Sequence, residues 1–273
     1  MSAVYHETMR SVIVAVDMGL FIRAGFSDSG DAVSLHADDV PTLIDSALPN
    51  DYDDARIVLG FDEPPFPGIP FEPETSRHGL LPAYNHLGYD PCNPAIRIPV
   101  QEWKQNASRF GYVLSYPGAE ARDMISAFID CMTPLRGDDY DAIIISDDPA
   151  LLQTVADEDR VMAFMVPASG GESAGCLLDE HGVASMFGAD PKNMRMMLSL
   201  CGNPVDGYQG VETCEQAEAE IRESIRSIPA RHKGEKDILE RNWRLAGIGG
   251  DYLDHHAMMR ARLVMAWAVG PEF

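Results

Sequence analysis

Five short apolar runs in the first two thirds of the chain have the composition of buried β-strands. They span residues 11–16 (SVIVAV), 57–61 (IVLGF), 112–116 (YVLSY), 141–146 (DAIIIS) and 161–166 (VMAFMV). Continuous apolar runs of this length are typical of strands that are covered on both faces of a parallel sheet.

Segments with helical periodicity alternate with these strands. Residues 100–109 and 119–132 are predicted helices, and the second carries Ala121, Met124, Ile125, Phe128 and Ile129 on one face. A short helix is predicted from Leu151. The pattern turns helical after residue 179, with predicted helices at 191–200, 211–228, 236–245 and 252–269. Residues 63–94 contain many prolines and predict a long irregular excursion.

This order of elements predicts an α/β fold in a single domain. We expect a mostly parallel central sheet with helices on both faces and an α-rich C-terminal part. The expected divisions are a tail at residues 1–10, an α/β core at 11–178 and a helical region at 179–273 that packs on the core.

Composition narrows the class of protein. The chain has 273 residues, of which 45% are hydrophobic, enough for a substantial core. No apolar segment is long enough to span a membrane, and the N-terminus carries no secretory signal, so we expect no membrane association and a cytoplasmic location. Five irregularly spaced cysteines without a CxxC pair are typical of reduced thiols, and we expect no structural zinc site from them.

The formal net charge of −22 limits the partners of the protein. A strongly negative surface opposes binding to nucleic acid, which depends on cations that neutralise phosphates. Binding to DNA would therefore need a local arginine patch, metal ions or a basic partner. The alternative is an acidic surface that serves solubility, and the sequence does not separate the two.

Carboxylates follow three of the predicted strands. Asp17, Asp62 and the pair Asp147-Asp148 stand where strands end, and in a parallel sheet such ends share one edge. Glu120 and Asp123 share a face in the first turn of a helix, and Asp206 follows a loop. Carboxylates that converge on one crevice would need cations, and oxygen ligands suit Mg²⁺ or Mn²⁺. Each acid could instead be a helix cap or a loop residue.

These motifs, taken in order, resemble those of the 5′-nucleases, the family of flap endonucleases and bacteriophage 5′–3′ exonucleases. The matching segments are Asp17 in VIVAVDMG, Phe61-Asp62, residues 118–123 (GAEARD), residues 146–153 (SDDPALLQ) and residues 202–210 (GNPVDGYQG). The resemblance implies catalytic roles for Asp17, Asp62, Glu120, Asp123, Asp148 and Asp206. Of these, all except Asp17 would ligate metal.

Departures from the family pattern fall on the same motifs. Arg122 stands where the family has an acid, Ala150 replaces a second carboxylate, and Asn203 replaces a third. The counterpart of the family's basic helical arch, residues 82–86 (PAYNH), has no lysine or arginine. The duplex-gripping hairpin at residues 210–217 lacks the family's second glycine and adds acids.

The resemblance implies Mg²⁺ or Mn²⁺ as cofactor, and the departures lead us to expect one ion rather than two. The first site (Asp62, Glu120 and Asp123, with Asp17 acting through water) would keep its ion, while the second would be impaired. Arg122 could replace a metal electrostatically but could not activate a water.

Two functions remain open. The first is an active or residually active 5′–3′ exonuclease or flap endonuclease, which would use Mg²⁺ or Mn²⁺ to hydrolyse phosphodiester bonds in DNA that carries a free 5′ end or a flap. The second is a catalytically inactive relative that acts as a binding or regulatory subunit, with a protein partner in a replication or nucleic-acid complex.

Overall fold

The computed structural model describes residues 10–25, 39–49, 52–63, 77–81, 94–133, 140–167 and 175–269. The expected N-terminal tail, apart from Arg10, and the counterpart of the helical arch at residues 82–86 lie outside the described residues.

A six-stranded sheet forms the centre of the fold. Its strands are β1 (Arg10–Asp17), β2 (Tyr52–Gly60), β3 (Tyr112–Leu114), β4 (Tyr140–Ser146), β5 (Val161–Met165) and β6 (Cys176–Leu178). They lie in the order β3-β2-β1-β4-β5-β6, and only β6 runs antiparallel to its neighbour. The predicted α/β architecture with a mostly parallel sheet is confirmed. A separate two-stranded hairpin pairs β7 (Gly202–Asn203) with β8 (Tyr208–Gln209).

Helices surround the sheet and make up most of the second half of the chain. They are α1 (Gly19–Gly25), α2 (Asp39–Ala47), α3 (Arg77–Leu80), α4 (Pro94–Ala107), α5 (Ala121–Met132), α6 (Glu180–Phe187), α7 (Met194–Cys201), α8 (Cys214–Ser224), α9 (Ile228–Arg231), α10 (Lys236–Ala246) and α11 (His255–Val269). Short 3₁₀ helices at Pro149–Thr154, Pro191–Asn193, Ile225–Ser227, Lys233–Glu235 and Gly249–Asp251 connect them.

The alternation of side chains along β1 divides the core between the two faces of the sheet. Ile13 and Ala15 pack with α5 and α11, whereas Val12, Val14 and Val16 pack with α1, α2 and α4. Every one of these five side chains is fully buried. This explains why the sequence of β1 is continuously apolar rather than alternating.

A third apolar cluster joins the C-terminal helices to the edge of the sheet. Side chains of α7, α8 and α10 meet β5, β6 and the 3₁₀ helix Pro149–Thr154 there. This cluster supports the loops that carry Asp148 and Asp206.

The structure corrects several predicted boundaries and adds elements that were not predicted. β2 begins at Tyr52, five residues before the apolar run, because its first half is only partly covered and carries polar residues. The helix predicted from residue 100 begins at Pro94, where proline is tolerated in the first turn. The interval 63–94, predicted as irregular, contains the helical turn α3. Helices α1 and α2 and the edge strand β6 were not predicted.

None of the described helices has the length and apolar character needed to cross a membrane.

The packing of α5 against the sheet predicts that truncating Phe128 of this helix lowers the free energy of unfolding. Phe128 is fully buried in the cluster that also contains α11. We expect Phe128→Ala to lower the free energy of unfolding by about 3–5 kcal/mol, because it removes apolar contacts and leaves a cavity. Denaturant unfolding measures this. Met186→Ala, at a side chain that is 54% exposed, is the control and should change stability by less than about 0.5 kcal/mol. Equal losses in the two variants would contradict the assigned core.

Candidate active site

The predicted site residues gather at the edge where the parallel strands end. Asp17 is the last residue of β1, Asp62 follows β2 by two residues, and Asp148 follows β4 by two. β1 lies between β2 and β4, so these three strand ends are neighbours. The chain reverses its direction of strand addition between β1 and β4, which is where open α/β sheets form their sites.

A hydrogen-bonded chain links the ends of β1 and β4. Ser146 donates its hydroxyl to Asp17 Oδ2 at 2.8 Å and accepts from the backbone N–H of Asp148 at 2.9 Å. Asp17 also accepts from the backbone N–H of Gly19 at 2.9 Å. Asp17 and Asp148 are both fully buried. Ser146 therefore orients the two carboxylates relative to each other.

The start of α5 brings two more predicted residues to this edge. Asp62 Oδ1 accepts from the backbone N–H of Ala121 at 2.8 Å, which joins the end of β2 to the first turn of the helix. Glu120 is the N-cap residue of α5 but makes no capping hydrogen bond with its side chain. Its carboxylate is instead directed to two arginines. Asp123 lies in the first turn and is buried.

Arg122 lies at the centre of the site and is fully buried. Its Nη1 is 2.9 Å from Asp148 Oδ2 and 2.7 Å from Asp206 Oδ2, so one guanidinium bridges two buried carboxylates. Its Nε is 3.0 Å from Glu120 Oε2. Arg122, which was predicted to stand in place of an acid, thus contacts three of the predicted metal ligands.

Asn203 completes the cluster around Arg122. Its Nδ2 donates to Asp148 Oδ1 at 3.1 Å and to Asp206 Oδ2 at 2.9 Å. Its own Oδ1 accepts from the backbone N–H of Val205. The amide group of Asn203 donates hydrogen bonds at a position where a carboxylate would add a further negative charge. It therefore suits Asp148 and Asp206, which are already paired with Arg122.

A second buried arginine, Arg77 of α3, pairs with Asp123 and shares Glu120 with Arg122. Its Nη1 is 2.6 Å from Asp123 Oδ2, its Nη2 is 2.8 Å from Asp123 Oδ1, and the pair is bidentate. The same Nη1 is 2.7 Å from Glu120 Oε2. Arg77 is 3% exposed, and its guanidinium lies 3.7 Å from the centroid of the Tyr252 ring.

The C-terminal end of α10 supplies neutral acceptors to both guanidinium groups. The carbonyl of Leu245 accepts from Arg77 Nε at 3.3 Å and from Arg122 Nη2 at 3.4 Å. Gly247 accepts from Arg77 with its carbonyl, and Gly249 donates its backbone N–H to Asp123 at 3.0 Å. A helix C-terminus favours cations, so α10 stabilises the two arginines in place.

Burial changes the acid–base properties around the arginines. It raises the pKa of the Asp123 carboxyl, and the charge and hydrogen bonds of Arg77 oppose that rise. It also raises the pKa of Tyr252, again against Arg77. The pKa of Tyr208 is well above its ordinary value because the hydroxyl is buried and Asp206 is close. The two phenols are therefore neutral at physiological pH.

Asp148 has the ordinary role that was the alternative to metal binding, and its neighbour Ala150 is a core residue. Asp148 caps the 3₁₀ helix Pro149–Thr154, since its Oδ1 accepts from the backbone N–H of Ala150 at 2.9 Å. Ala150, which stands where the family has a carboxylate, is fully buried in the third apolar cluster. Asp148 is thus a cap and an ion-pair partner at once.

The arrangement does not fit a divalent metal ion. Four of the five predicted ligands, namely Glu120, Asp123, Asp148 and Asp206, lie 2.6–3.0 Å from guanidinium nitrogens. Mg²⁺ needs oxygen ligands at about 2.0–2.1 Å in an octahedron, and a guanidinium among the same oxygens occupies that space. This applies to both halves of the site, including the first, which was expected to keep its ion.

Sequence reasoning missed Arg77. It is the only lysine or arginine between residues 57 and 96, within the proline-rich interval that was predicted to be irregular. A lone cation in a long acidic stretch is the one available signal, and it does not say which acids the cation meets.

Comparison with known proteins places the fold. No protein-family model matches the sequence, and no curated protein matches it. Among solved structures, bacteriophage T5 5′-exonuclease with bound zinc ions aligns at a TM-score of 0.66 and 14% identity, over 96% of this chain and all of that one. The same T5 protein co-crystallised with metal ions gives 0.65 at 14% identity, over 96% and 100% of the two chains.

A third structure, a pseudo-enzyme–product complex of the bacteriophage T5 flap endonuclease with DNA and metal ions, gives 0.58 at 16% identity. The alignment covers 96% of this chain and 94% of that one. The chain therefore has the fold of the 5′-nucleases, as the resemblance of its motifs implied.

Breaking the central ion pairs should be costly. Arg122→Met would leave Asp148 and Asp206 buried without their cation, and we expect the free energy of unfolding to fall by about 3–5 kcal/mol. Arg222→Met is the matched control, because Arg222 pairs with Glu218 at the surface and is 72% exposed. That variant should lose at most about 1 kcal/mol. Similar losses in denaturant unfolding of the two variants would show that Arg122 does not hold the site together.

Proposed function

We propose that this protein is a catalytically inactive member of the 5′-nuclease fold that acts by binding, as a regulatory or accessory subunit of a nucleic-acid complex. The observation that supports this is the pairing of four predicted metal ligands with two buried arginines.

The chemistry of arginine supports the loss of hydrolysis. A metal ion in a nuclease lowers the pKa of a bound water and so provides the nucleophile. A guanidinium neutralises carboxylates but has no open coordination position and does not lose its proton. Arg77 and Arg122 partly neutralise the four carboxylates that they contact, and they give the site no means to activate water.

The acidic charge of the chain supports a binding role that does not rest on DNA alone. At a net charge of −22, long-range forces repel phosphate. Within the described residues, the two buried arginines at the strand ends, Arg77 and Arg122, are paired with acids. A partner with a basic surface therefore fits the protein better than a bare duplex does.

Reduced nuclease activity on DNA with a free 5′ end or a flap is the second candidate. It is favoured by the placement of all six predicted catalytic acids at one edge of a 5′-nuclease fold. Such activity would require Arg77 and Arg122 to leave the carboxylates when Mg²⁺ or Mn²⁺ binds.

A cleavage assay separates the two candidates. We expect the wild-type protein with Mn²⁺ to show no hydrolysis of a 5′ flap or a nicked duplex above the level of Asp62→Ala. Product formation that depends on Mn²⁺ and disappears in Asp62→Ala would overturn the proposal and establish the second candidate.

Replacing the arginines should open the site to metal. We expect the combined variant Arg77→Ala, Arg122→Asp, Asn203→Asp to bind Mn²⁺ in calorimetry, because it removes two cations and adds two carboxylates. The wild type should show no such binding in this site. Arg222→Asp, a change of the same kind at an exposed position, is the control. Binding of Mn²⁺ by the wild type that is lost in Asp123→Asn would contradict the assignment of Arg77 and Arg122 as substitutes for metal.

The binding role predicts a particular response to salt. We expect fluorescence anisotropy with a flap DNA to show weak binding even at low salt, because the contacts with phosphate are few. A steep loss of affinity with increasing salt, starting from tight binding, would instead indicate an arginine-rich DNA surface.

A further inference from the structure

A histidine surrounded by three carboxylates lies apart from the candidate active site, in the C-terminal helical region. His232 follows α9, Glu220 belongs to α8, Glu212 precedes α8, and Glu235 ends the 3₁₀ helix Lys233–Glu235. His232 is 6% exposed. These residues share no contact with Arg77 or Arg122 among the described interactions.

The two ring nitrogens of His232 meet different acids. Nδ1 lies 2.9 Å from Glu235 Oε2. Nε2 lies 3.0 Å from Glu220 Oε2 and 3.9 Å from Glu212 Oε1. One ligand atom from each of Glu212, Glu220 and His232 falls within 4.8 Å of the other two. A single ion could therefore contact all three.

The electrostatics of this group call for a cation at Nε2. If Glu235 accepts a hydrogen bond from Nδ1–H, then the lone pair of a neutral ring at Nε2 faces two carboxylates, which is repulsive. A proton or a metal ion at Nε2 removes the repulsion. A proton leaves three carboxylates against one imidazolium, whereas a divalent ion with a neutral ring halves that excess from −2 to −1. Arg231, with its Nε 3.5 Å from Glu220, offsets part of the remainder.

We propose that Glu212, Glu220 and His232 form a binding site for a divalent transition-metal ion of the Zn²⁺ class. One imidazole nitrogen with two carboxylate oxygens suits Zn²⁺ or Co²⁺, whereas Mg²⁺ and Ca²⁺ prefer oxygen alone. Glu235 lies within hydrogen-bond distance of Nδ1 and would orient the ring, as a carboxylate or carbonyl does for most histidine ligands of metals. Three protein ligands leave a fourth position for water.

The ion would link Glu212, in the segment that follows the β7–β8 hairpin, to His232 at the end of α9. Glu212 lies six residues after Asp206, and Thr213 begins α8 with a capping box. Bound metal would therefore fix the direction of α8 relative to the loop that carries Asp206 and Asn203. The cysteine pattern gives no indication of such a site, since no cysteine takes part.

Metal binding to the full chain tests the proposal. After treatment with a chelator, equilibrium dialysis against Zn²⁺ should give one bound ion per chain. Co²⁺ bound in the same site should give the visible absorption band of an ion with few ligands. Glu212→Gln and His232→Ala should each abolish this binding, and Glu235→Gln should weaken it by about 10–100-fold. Zn²⁺ should raise the Tm of the wild type.

Glu223→Gln is the matched control. Glu223 lies on α8, contacts Arg231 at 2.8 Å and is 74% exposed, so the variant makes the same chemical change outside the three ligands. It should bind Zn²⁺ as the wild type does. Circular dichroism of each variant without metal separates a lost ligand from a lost fold, and Glu212→Gln, at a partly exposed side chain, keeps the test valid if His232→Ala does not fold.

Two outcomes would overturn the proposal. One is the absence of bound Zn²⁺ or Co²⁺ in the folded wild type, which would leave a protonated His232 as the cation in the cluster. The other is equal binding by the wild type, Glu212→Gln and His232→Ala, which would place the ion elsewhere. Neither outcome depends on nuclease activity, so the result stands apart from the test of the proposed function.

Discussion

The candidate active site at the strand ends is held together by the ion pairs of two buried arginines. Burying Asp148, Asp206 and Asp123 next to one another would cost several kcal/mol per charge without cations. Arg122 and Arg77 supply those cations, and the Leu245 carbonyl at the end of α10 accepts a further hydrogen bond from each of them. The core, the loops and the C-terminal helices meet at these contacts, so the two guanidinium groups connect the sheet to the second half of the chain.

A guanidinium and a metal ion can both neutralise neighbouring carboxylates, but they do so in different ways. A metal exchanges with solvent and keeps a position for water, whereas an arginine is part of the chain and its charge is permanent. The retained carboxylates therefore do not by themselves indicate retained hydrolysis. In this chain they are equally consistent with a structural role, since their partners, caps and hydrogen bonds account for their burial.

The net negative charge of the chain and the pairing of its buried arginines with acids both support the proposed binding role. A protein that handles phosphate directly needs free cations, and here the buried arginines are engaged with acids while the net charge is −22. The cluster around His232 in the C-terminal helices also brings carboxylates close to one another around a group that can bind a cation. What differs is the donor set, which contains an imidazole and so selects a different class of ion.

The sequence by itself determined five of the six strands of the sheet, its mostly parallel character and the edge at which Asp17, Asp62 and Asp148 meet, because apolar runs and strand-end acids are local signals. Its resemblance to the 5′-nucleases also predicts that Arg122, Ala150 and Asn203 stand in place of acids. Only the tertiary structure decided that Arg77 reaches Asp123, since a residue 46 positions away, in a proline-rich interval, has no local pattern that names its partner. The grouping of Glu212, Glu220 and His232 was hidden for the same reason, because the turns between α8 and α9 set it rather than any spacing in the chain.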